Sequence, residues 1–285
     1  MIKLGLIGYP LSHSMSAVIQ KAAFESTGIE GTYEILETEP ESLIDRMKFL
    51  KSRGYEGFNV TIPLKVPITL FLDQVDNIAN LAGCANTVKI LPDKSLHGFN
   101  TDVYGFSQAI PKDIQSQLFG SKVAILGNGG AARAAAVSLA QLKVSQIDFY
   151  VRNIINASTM ISIVRENFPN IKVNSYQIQH LEDLSTYKML VNTTPIGMRG
   201  KAMGLSPVPE AAIKTMNKDS VVYDIVYNPI KTALIDIAQA NNLYSINGLD
   251  MLIYQAAKAF EIWTGQSPDT KLMKIAALES LTTTH

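Results

Sequence analysis

The sequence holds a single cysteine, Cys84, in 285 residues. That excludes disulfides within the chain and any thiolate metal cluster, and it fits a reducing compartment. The four histidines, His13, His97, His180 and His285, show no metal-ligand spacing, so no metal is expected. There is no excess charge of either sign, with 25 basic and 25 acidic residues. A general attraction to nucleic acid or to an acidic membrane surface is therefore missing. No apolar run approaches the roughly 20 residues that span a bilayer. The apolar start is too short for a signal-peptide core and runs straight into Tyr9-Pro10. Asn-x-Ser/Thr triplets at Asn59, Asn156 and Asn192 then read as chance matches. No Gly-x-Ser-x-Gly, His-Glu-x-x-His or Gly-Lys-Ser/Thr phosphate loop occurs. The expectation is a cytoplasmic protein whose partner is a small molecule, with no nucleic acid and no membrane.

What is present is the composition of a globular chain, 47% hydrophobic and 18% charged, long enough for two domains. Short apolar runs alternate with amphipathic stretches, which predicts βαβ units and mostly parallel sheets. Strands are expected at 3–8, 32–36, 57–61, 87–90 and 95–99, the last two joined by the turn Pro92-Asp93-Lys94. Helices are expected near 15–27, ended by Gly28, and near 40–53. A helical connector near 111–121 precedes a second series, with strands at 122–126, 147–151, 188–192, 220–224 and 243–246. Helices near 249–264 and 269–281 close the chain. The fold class is α/β, with an open, mostly parallel α/β domain and a Rossmann domain.

The run Val123-Ala124-Ile125-Leu126-Gly127-Asn128-Gly129-Gly130-Ala131-Ala132 is a strand, a glycine turn and a helix start. Gly127 permits the tight turn, Gly129 lets backbone approach a pyrophosphate, and Ala132 allows close helix–sheet packing. N–H groups at the helix start then point at the phosphates, whose charge the helix dipole favours. At the tip of the next strand stands Arg152, while Asp148 falls at that strand's start. An NAD site usually carries an acidic residue at the tip for the ribose. A guanidinium suits a 2′-phosphate instead, so NADP is the expected cofactor.

Before the glycine turn, polar residues gather at strand ends: Ser12, Ser14 and Ser16, then Asn59, Thr61 and Lys65, then Asn86 and Thr87, then Asn100, Thr101 and Asp102. In open α/β sheets ligands sit at the carboxyl ends of strands. Hydroxyls, amides, one lysine and one aspartate grouped there suit a polyhydroxylated molecule.

The motifs Gly8-Tyr9-Pro10-Leu11-Ser12-His13-Ser14-Met15-Ser16, Asn59-Val60-Thr61-Ile62-Pro63-Leu64-Lys65, Ala85-Asn86-Thr87 and Gly98-Phe99-Asn100-Thr101-Asp102 resemble those of the shikimate dehydrogenase family. So do the glycine turn, Asn192-Thr193-Thr194-Pro195-Ile196-Gly197-Met198, Asp224-Ile225-Val226-Tyr227-Asn228-Pro229, and Gly248-Leu249-Asp250-Met251-Leu252 with Gln255. The resemblance runs through nearly the whole chain in the family's order.

The resemblance implies reversible reduction of 3-dehydroshikimate to shikimate with NADPH, in the route to chorismate and the aromatic amino acids. It implies that Ser14 and Ser16 bind the substrate carboxylate. Thr61, Asn86, Asp102, Tyr227 and Gln255 would hold or surround the ring hydroxyls, and Lys65 with Asp102 would be the catalytic pair. Gly127, Asn128, Gly129, Gly130, Ala131 and Arg152 would bind the cofactor, with Ile225, Gly248 and Met251 near the nicotinamide. Reducing a ketone needs a hydride from the cofactor and a proton for the new alkoxide, and a buried lysine can supply the proton.

Departures from the family pattern are Ala17 and Ile19-Gln20 in the first helix, where only packing should change, and Val151 and Asn156 beside Arg152. The last two keep open a quinate/shikimate dehydrogenase with relaxed NAD use. A non-catalytic metabolite sensor is the distant alternative, but it would be expected to lose Lys65 or Asp102. His13 is expected to fix its loop, Cys84 to fill a small buried space, and Trp263 and Phe260 to form the apolar face of a late helix. The expected domains are residues 1–102 plus 249–285 for the substrate and 103–248 for NADP. The family includes monomers and homodimers, and either state is expected here.

Overall fold

A computed structural model describes residues 1–12, 14–200 and 202–283. The readings made for His13 and His285 fall outside them. The chain divides into two compact units, one from Met1 to Gly105 with the chain from Ile253 onward, the other Phe106–Leu252. Each carries a six-stranded sheet.

The first unit contains β1 (Ile2–Gly8), α1 (Ser16–Thr27), β2 (Gly31–Glu37), α2 (Leu43–Ser52), β3 (Gly57–Val60), β4 (Gln74–Val75), α3 (Asn77–Ala82), β5 (Thr87–Ile90) and β6 (Leu96–Phe99), and then the start of α4 (Thr101–Ala109). Its sheet has the order β2-β1-β3-β5-β6-β4. The pairs β1–β2, β1–β3 and β4–β6 are parallel, and β5 runs antiparallel to both β3 and β6. Gly28 ends α1 at φ 69°, and Lys94 closes the β5–β6 turn at φ 68°. Ile7, Phe58, Val60, Leu64, Val88 and Leu96 are buried together on one face.

The antiparallel strands matter for the site. Asn59 pairs with Thr87, and Thr87 pairs with Phe99. The end of β3, the start of β5 and the end of β6 therefore meet at one edge of the sheet, next to the end of β1.

The second unit continues with α5 (Lys112–Gln117), β7 (Lys122–Leu126), α6 (Gly130–Gln141), β8 (Gln146–Val151), α7 (Ile154–Asn167), β9 (Lys172–Gln177), β10 (Met189–Asn192), α8 (Glu210–Lys214), β11 (Val221–Asp224), α9 (Ala233–Ala240) and β12 (Tyr244–Ile246). All its strand pairs are parallel, in the order β12-β11-β10-β7-β8-β9. That is the doubly wound dinucleotide-binding order, with its switch point between β7 and β10. Apolar clusters cover both faces, one with Val123, Ile125, Phe149 and Val191, the other with Ala124, Leu126, Leu190 and Val222. Burial on both faces explains why these strands read as continuous apolar runs.

The chain closes with α10 (Leu249–Thr264) and α11 (Thr270–Thr283). Phe260 and Trp263 are buried, as the apolar face predicted, and the Trp263 indole donates to the Val88 carbonyl at 2.9 Å. Ile19 and Gln20 are also buried. The Gln20 amide donates to the Ala256 carbonyl at 3.1 Å, so both side chains take part in the packing of α1 against α10. Cys84 is fully buried.

Candidate active site and cofactor site

At the sheet edge of the first unit, Lys65 Nζ donates to Asp102 Oδ2 at 2.6 Å. Their side chains are only 15% and 7% exposed. Lys65 follows β3, and its carbonyl accepts from Ala85 N at 2.9 Å, which ties the lysine loop to the head of β5. Asp102 lies in the first turn of α4, where the helix dipole complements a carboxylate.

Asn86 is the hub of this site. Its amide nitrogen donates to Asp102 Oδ1 at 2.8 Å and to Thr101 Oγ1 at 2.9 Å, and it lies 3.3 Å from Gln255 Oε1. Its amide oxygen accepts from Thr101 N at 2.7 Å. Each Asp102 oxygen thus has a donor, and the buried carboxylate is satisfied as burial demands.

Asn59, grouped with the polar strand-end residues in the sequence, has no role assigned to it there. It is buried on β3 and donates to the Asn86 carbonyl at 3.1 Å and Thr87 Oγ1 at 3.0 Å. Its oxygen accepts from the Tyr33 phenol on β2 at 2.7 Å. Burial pushes that phenol's pKa far above its usual value, so it remains a donor. A polar residue inside an otherwise apolar strand was the available signal for Asn59. Tyr33 carried none, because its partner is 26 residues away.

Ser14 and Ser16 stand at the start of α1. The Ser14 hydroxyl accepts from Ser16 N at 3.3 Å. The Met15 cap position makes no side-chain hydrogen bond, so the N–H groups after Ser16 and the two hydroxyls form a fitting anchor for an anion. Thr61 follows β3, and its N–H donates to the Ile7 carbonyl at 2.9 Å. A Cβ on Gly8 would meet Thr61 Cγ2 at 2.5 Å and the Ile62 carbonyl at 2.8 Å, so glycine alone allows these strand ends to approach. Ser14, Ser16, Thr61, Lys65, Asn86, Asp102 and Gln255 all belong to this unit.

The second unit carries the remaining predicted residues, including Tyr227, whose phenol pKa is raised by burial. Gly127 adopts φ 106°, a left-handed conformation that suits glycine. Gly129 precedes α6 with no side-chain cap, and a Cβ there would point into open space. The head of the helix therefore lies beside room for a ligand. Asn128, Gly130 and Ala131 complete the turn, and Ala132 is fully buried under it. Arg152 is exposed directly after β8. These features fit a dinucleotide phosphate group.

Asp148 cannot serve the ribose, because it is completely buried within β8. Burial pushes its carboxyl pKa up, but hydrogen bonds from Tyr187, Asn174, Gln146 and Lys122 outweigh that and hold it below its usual value. The acid is thus a structural anchor, which leaves Arg152 at the strand tip.

Ile225 and Gly248 are packed together. A Cβ on Gly248 would lie 1.9 Å from the Ile225 carbonyl oxygen, and Gly248 N donates to the Val226 carbonyl at 3.1 Å. Met251 is buried in the same unit's core. Among the described residues no helix is long and apolar enough to cross a membrane, and no group of His, Cys, Asp and Glu could hold a metal ion.

The chain is similar to known proteins along nearly its whole length. Residues 6–88 match the model of the shikimate dehydrogenase substrate binding domain, and residues 248–278 that of the shikimate 5'-dehydrogenase C-terminal domain. A shikimate dehydrogenase (NADP(+)) from Methanocaldococcus jannaschii is 37% identical over 280 residues, covering 98% of this chain and 97% of the relative. A crystal structure of shikimate dehydrogenase in complex with NADP+ superposes with a TM-score of 0.88 at 35% identity, covering 99% of this chain and 96% of the other. The Thermus thermophilus shikimate 5-dehydrogenase in complex with NADP(H) and shikimate gives a TM-score of 0.84 at 32% identity, covering 98% and 100%. The chain belongs to the shikimate dehydrogenase family.

Proposed function

We propose that this protein is a shikimate dehydrogenase, reducing 3-dehydroshikimate to shikimate with NADPH and running the reverse oxidation with NADP, in the route to chorismate and the aromatic amino acids. The observation that carries this reading is the buried Lys65–Asp102 pair held by Asn86 at the sheet edge.

The Ser14 and Ser16 hydroxyls and the head of α1 bind the substrate carboxylate. Thr61, Asn86, Gln255 and Asp102 supply donors and acceptors for ring hydroxyls, and Tyr227 is kept as a further contact on family resemblance. NADPH, held by the glycine turn and Arg152, would supply the hydride to the carbonyl carbon. Lys65 gives a proton from Nζ to the carbonyl oxygen as the new C–H bond forms, leaving an alcohol, and it regains a proton from solvent. Asp102 only accepts in the pair, so the lysine is the member with a proton to give. Asp102 aims the ammonium by holding it at Oδ2.

The glycine turn from Gly127 to Ala131 and the head of α6 hold the pyrophosphate, and Arg152 holds the 2′-phosphate. Ile225, Gly248 and Met251 are assigned to the nicotinamide side on resemblance. We assign residues 1–102 with 249–285 to the substrate and 103–248 to NADP. We assign the protein to the cytoplasm, in keeping with its single cysteine, acting on a small molecule as a monomer or homodimer. The test is NADPH oxidation by purified protein with 3-dehydroshikimate, and no turnover would refute the enzyme reading.

A second reading, a quinate/shikimate enzyme with relaxed NAD use, is favoured by one observation. Arg152 is the only basic residue from 151 to 164. The exposed Asn156 adds no charge in the first turn of α7, and the Asn153 side chain already caps Ile155 N and Asn156 N.

A further inference from the structure

Asp224 ends β11, and none of the roles assigned above falls to it. It is completely buried in the second unit. Its Oδ1 accepts from the Asn192 amide at 2.9 Å and from Val226 N at 3.1 Å, and its Oδ2 accepts from the Thr232 hydroxyl at 2.7 Å.

These bonds extend well beyond one turn. Asn192 ends β10, and its oxygen accepts from Thr194 N at 3.0 Å and Thr194 Oγ1 at 2.7 Å. Its carbonyl also accepts from Ile225 N at 3.1 Å. The next residue, Thr193, donates its N–H to the Leu126 carbonyl at 3.0 Å. Its hydroxyl would lie 2.8 Å from a Cβ on Gly127. From the end of β11 a continuous path thus reaches the end of β10 and then the glycine turn after β7. β10 and β7 flank the switch point, where a doubly wound sheet binds its dinucleotide.

We infer that Asp224 is a positioning residue for the dinucleotide, which through Asn192 sets the two loops flanking the switch point. This rests on the reading of the glycine turn as an NADP site. The ionised carboxylate accepts all three bonds as they stand: the Asn192 amide nitrogen and Val226 N–H can only donate, and the Thr232 hydroxyl donates to Oδ2. Protonation removes the charge from all three bonds and makes the Thr232 hydroxyl give up or reverse its own, which loosens the loops. Burial, opposed by these hydrogen bonds, raises the carboxyl's pKa to about 6. The charged residues flanking Thr232, Lys231 and Asp236, pair with each other, and Asp250 acts on the neighbouring Tyr223.

The experiment is calorimetric binding of NADP, and separately of shikimate, to wild type and Asp224→Asn at about pH 8 and about pH 5. Asparagine keeps the shape but permanently presents hydrogens where the acid would be protonated. The expected result is about tenfold weaker NADP binding by the variant at the higher pH, one charge-assisted bond's worth. That gap should nearly close at the lower pH, with shikimate binding alike in both proteins. The cofactor's own phosphate titrates in both, so their difference isolates residue 224. Equal NADP affinity at the higher pH, an unchanged gap at the lower pH, or equally weakened shikimate binding would each overturn the proposal. Wild type that binds shikimate but not NADP at either pH would overturn the cofactor reading itself, and this inference with it.

Discussion

Lys65 and Asp102 stand 2.6 Å apart although 37 residues separate them in sequence. Two different elements deliver them, the loop after β3 and the first turn of α4, and the antiparallel β5–β6 hairpin between them closes the distance. Replacing Lys65 by Ala removes the proton donor but leaves the carboxylate anchor. The expected fall in kcat is about 10²- to 10⁴-fold, the usual range for a general acid, with the shikimate KM changed only a few-fold. Lys65→Arg should not restore turnover, because a guanidinium keeps the ion pair yet does not release its proton. Steady-state kinetics on both variants checks this, and near-normal kcat in either would remove Lys65 from the chemistry.

Arg152→Ala tests the cofactor choice. The kcat/KM for NADP should fall by about 10- to 100-fold, as expected for losing a charged hydrogen-bonded pair, while the value for NAD stays within a few-fold. An equal loss for both cofactors would mean that Arg152 supports the fold and does not read the 2′-phosphate.

Gly248→Ala would place a Cβ 1.9 Å from the Ile225 carbonyl oxygen, a backbone atom that cannot swing away. A loss of about 1–3 kcal/mol in stability is expected from such overpacking. The KM for NADP should rise at least several-fold, and direct shikimate binding should be unaffected. Urea unfolding and cofactor titration check the pair of effects.

Asp224 also ties stability to pH. Burial raises its carboxyl to about 6 in the folded chain, whereas an unfolded aspartate lies near 3.9. The folded state therefore holds this proton longer. Its contribution is fully present below the unfolded pKa and is lost as pH rises through about 6. Wild-type stability measured against Asp224→Asn should drop by about 2 kcal/mol between about pH 4.5 and about pH 7. Urea titrations at the two pH values check this, and a flat difference would show that the carboxyl titrates in its ordinary range.

Much of the fold was legible because the strands obey simple patterns. β1, β7, β10 and β11 are apolar runs, and β5 and β6 flank an Asp-centred turn. The strand β9 leaves no signal in the sequence: Lys172–Gln177 is a polar edge strand with one buried residue, so it shows no apolar run. The two-residue β4 and short α3 fell below any periodic signal. Asp148 was read at a strand start, yet it lies in the interior of β8 and is satisfied by Tyr187, Asn174, Gln146 and Lys122, partners that no local pattern reveals. Catalytic residue types were legible in motifs. The bonding behind them is not, because Tyr33 reaches Asn59 from β2 and Asn59 reaches Asn86 from β3, contacts between strands that no local pattern reveals.

The most direct test of the central claim is shikimate oxidation by the purified protein, at matched NADP and NAD, with quinate run beside it. Turnover with shikimate and NADP, lost in Lys65→Ala, is the expected result. No turnover with shikimate under either cofactor would contradict the assignment, and equal rates with quinate or NAD would move the protein to the dual-specificity reading.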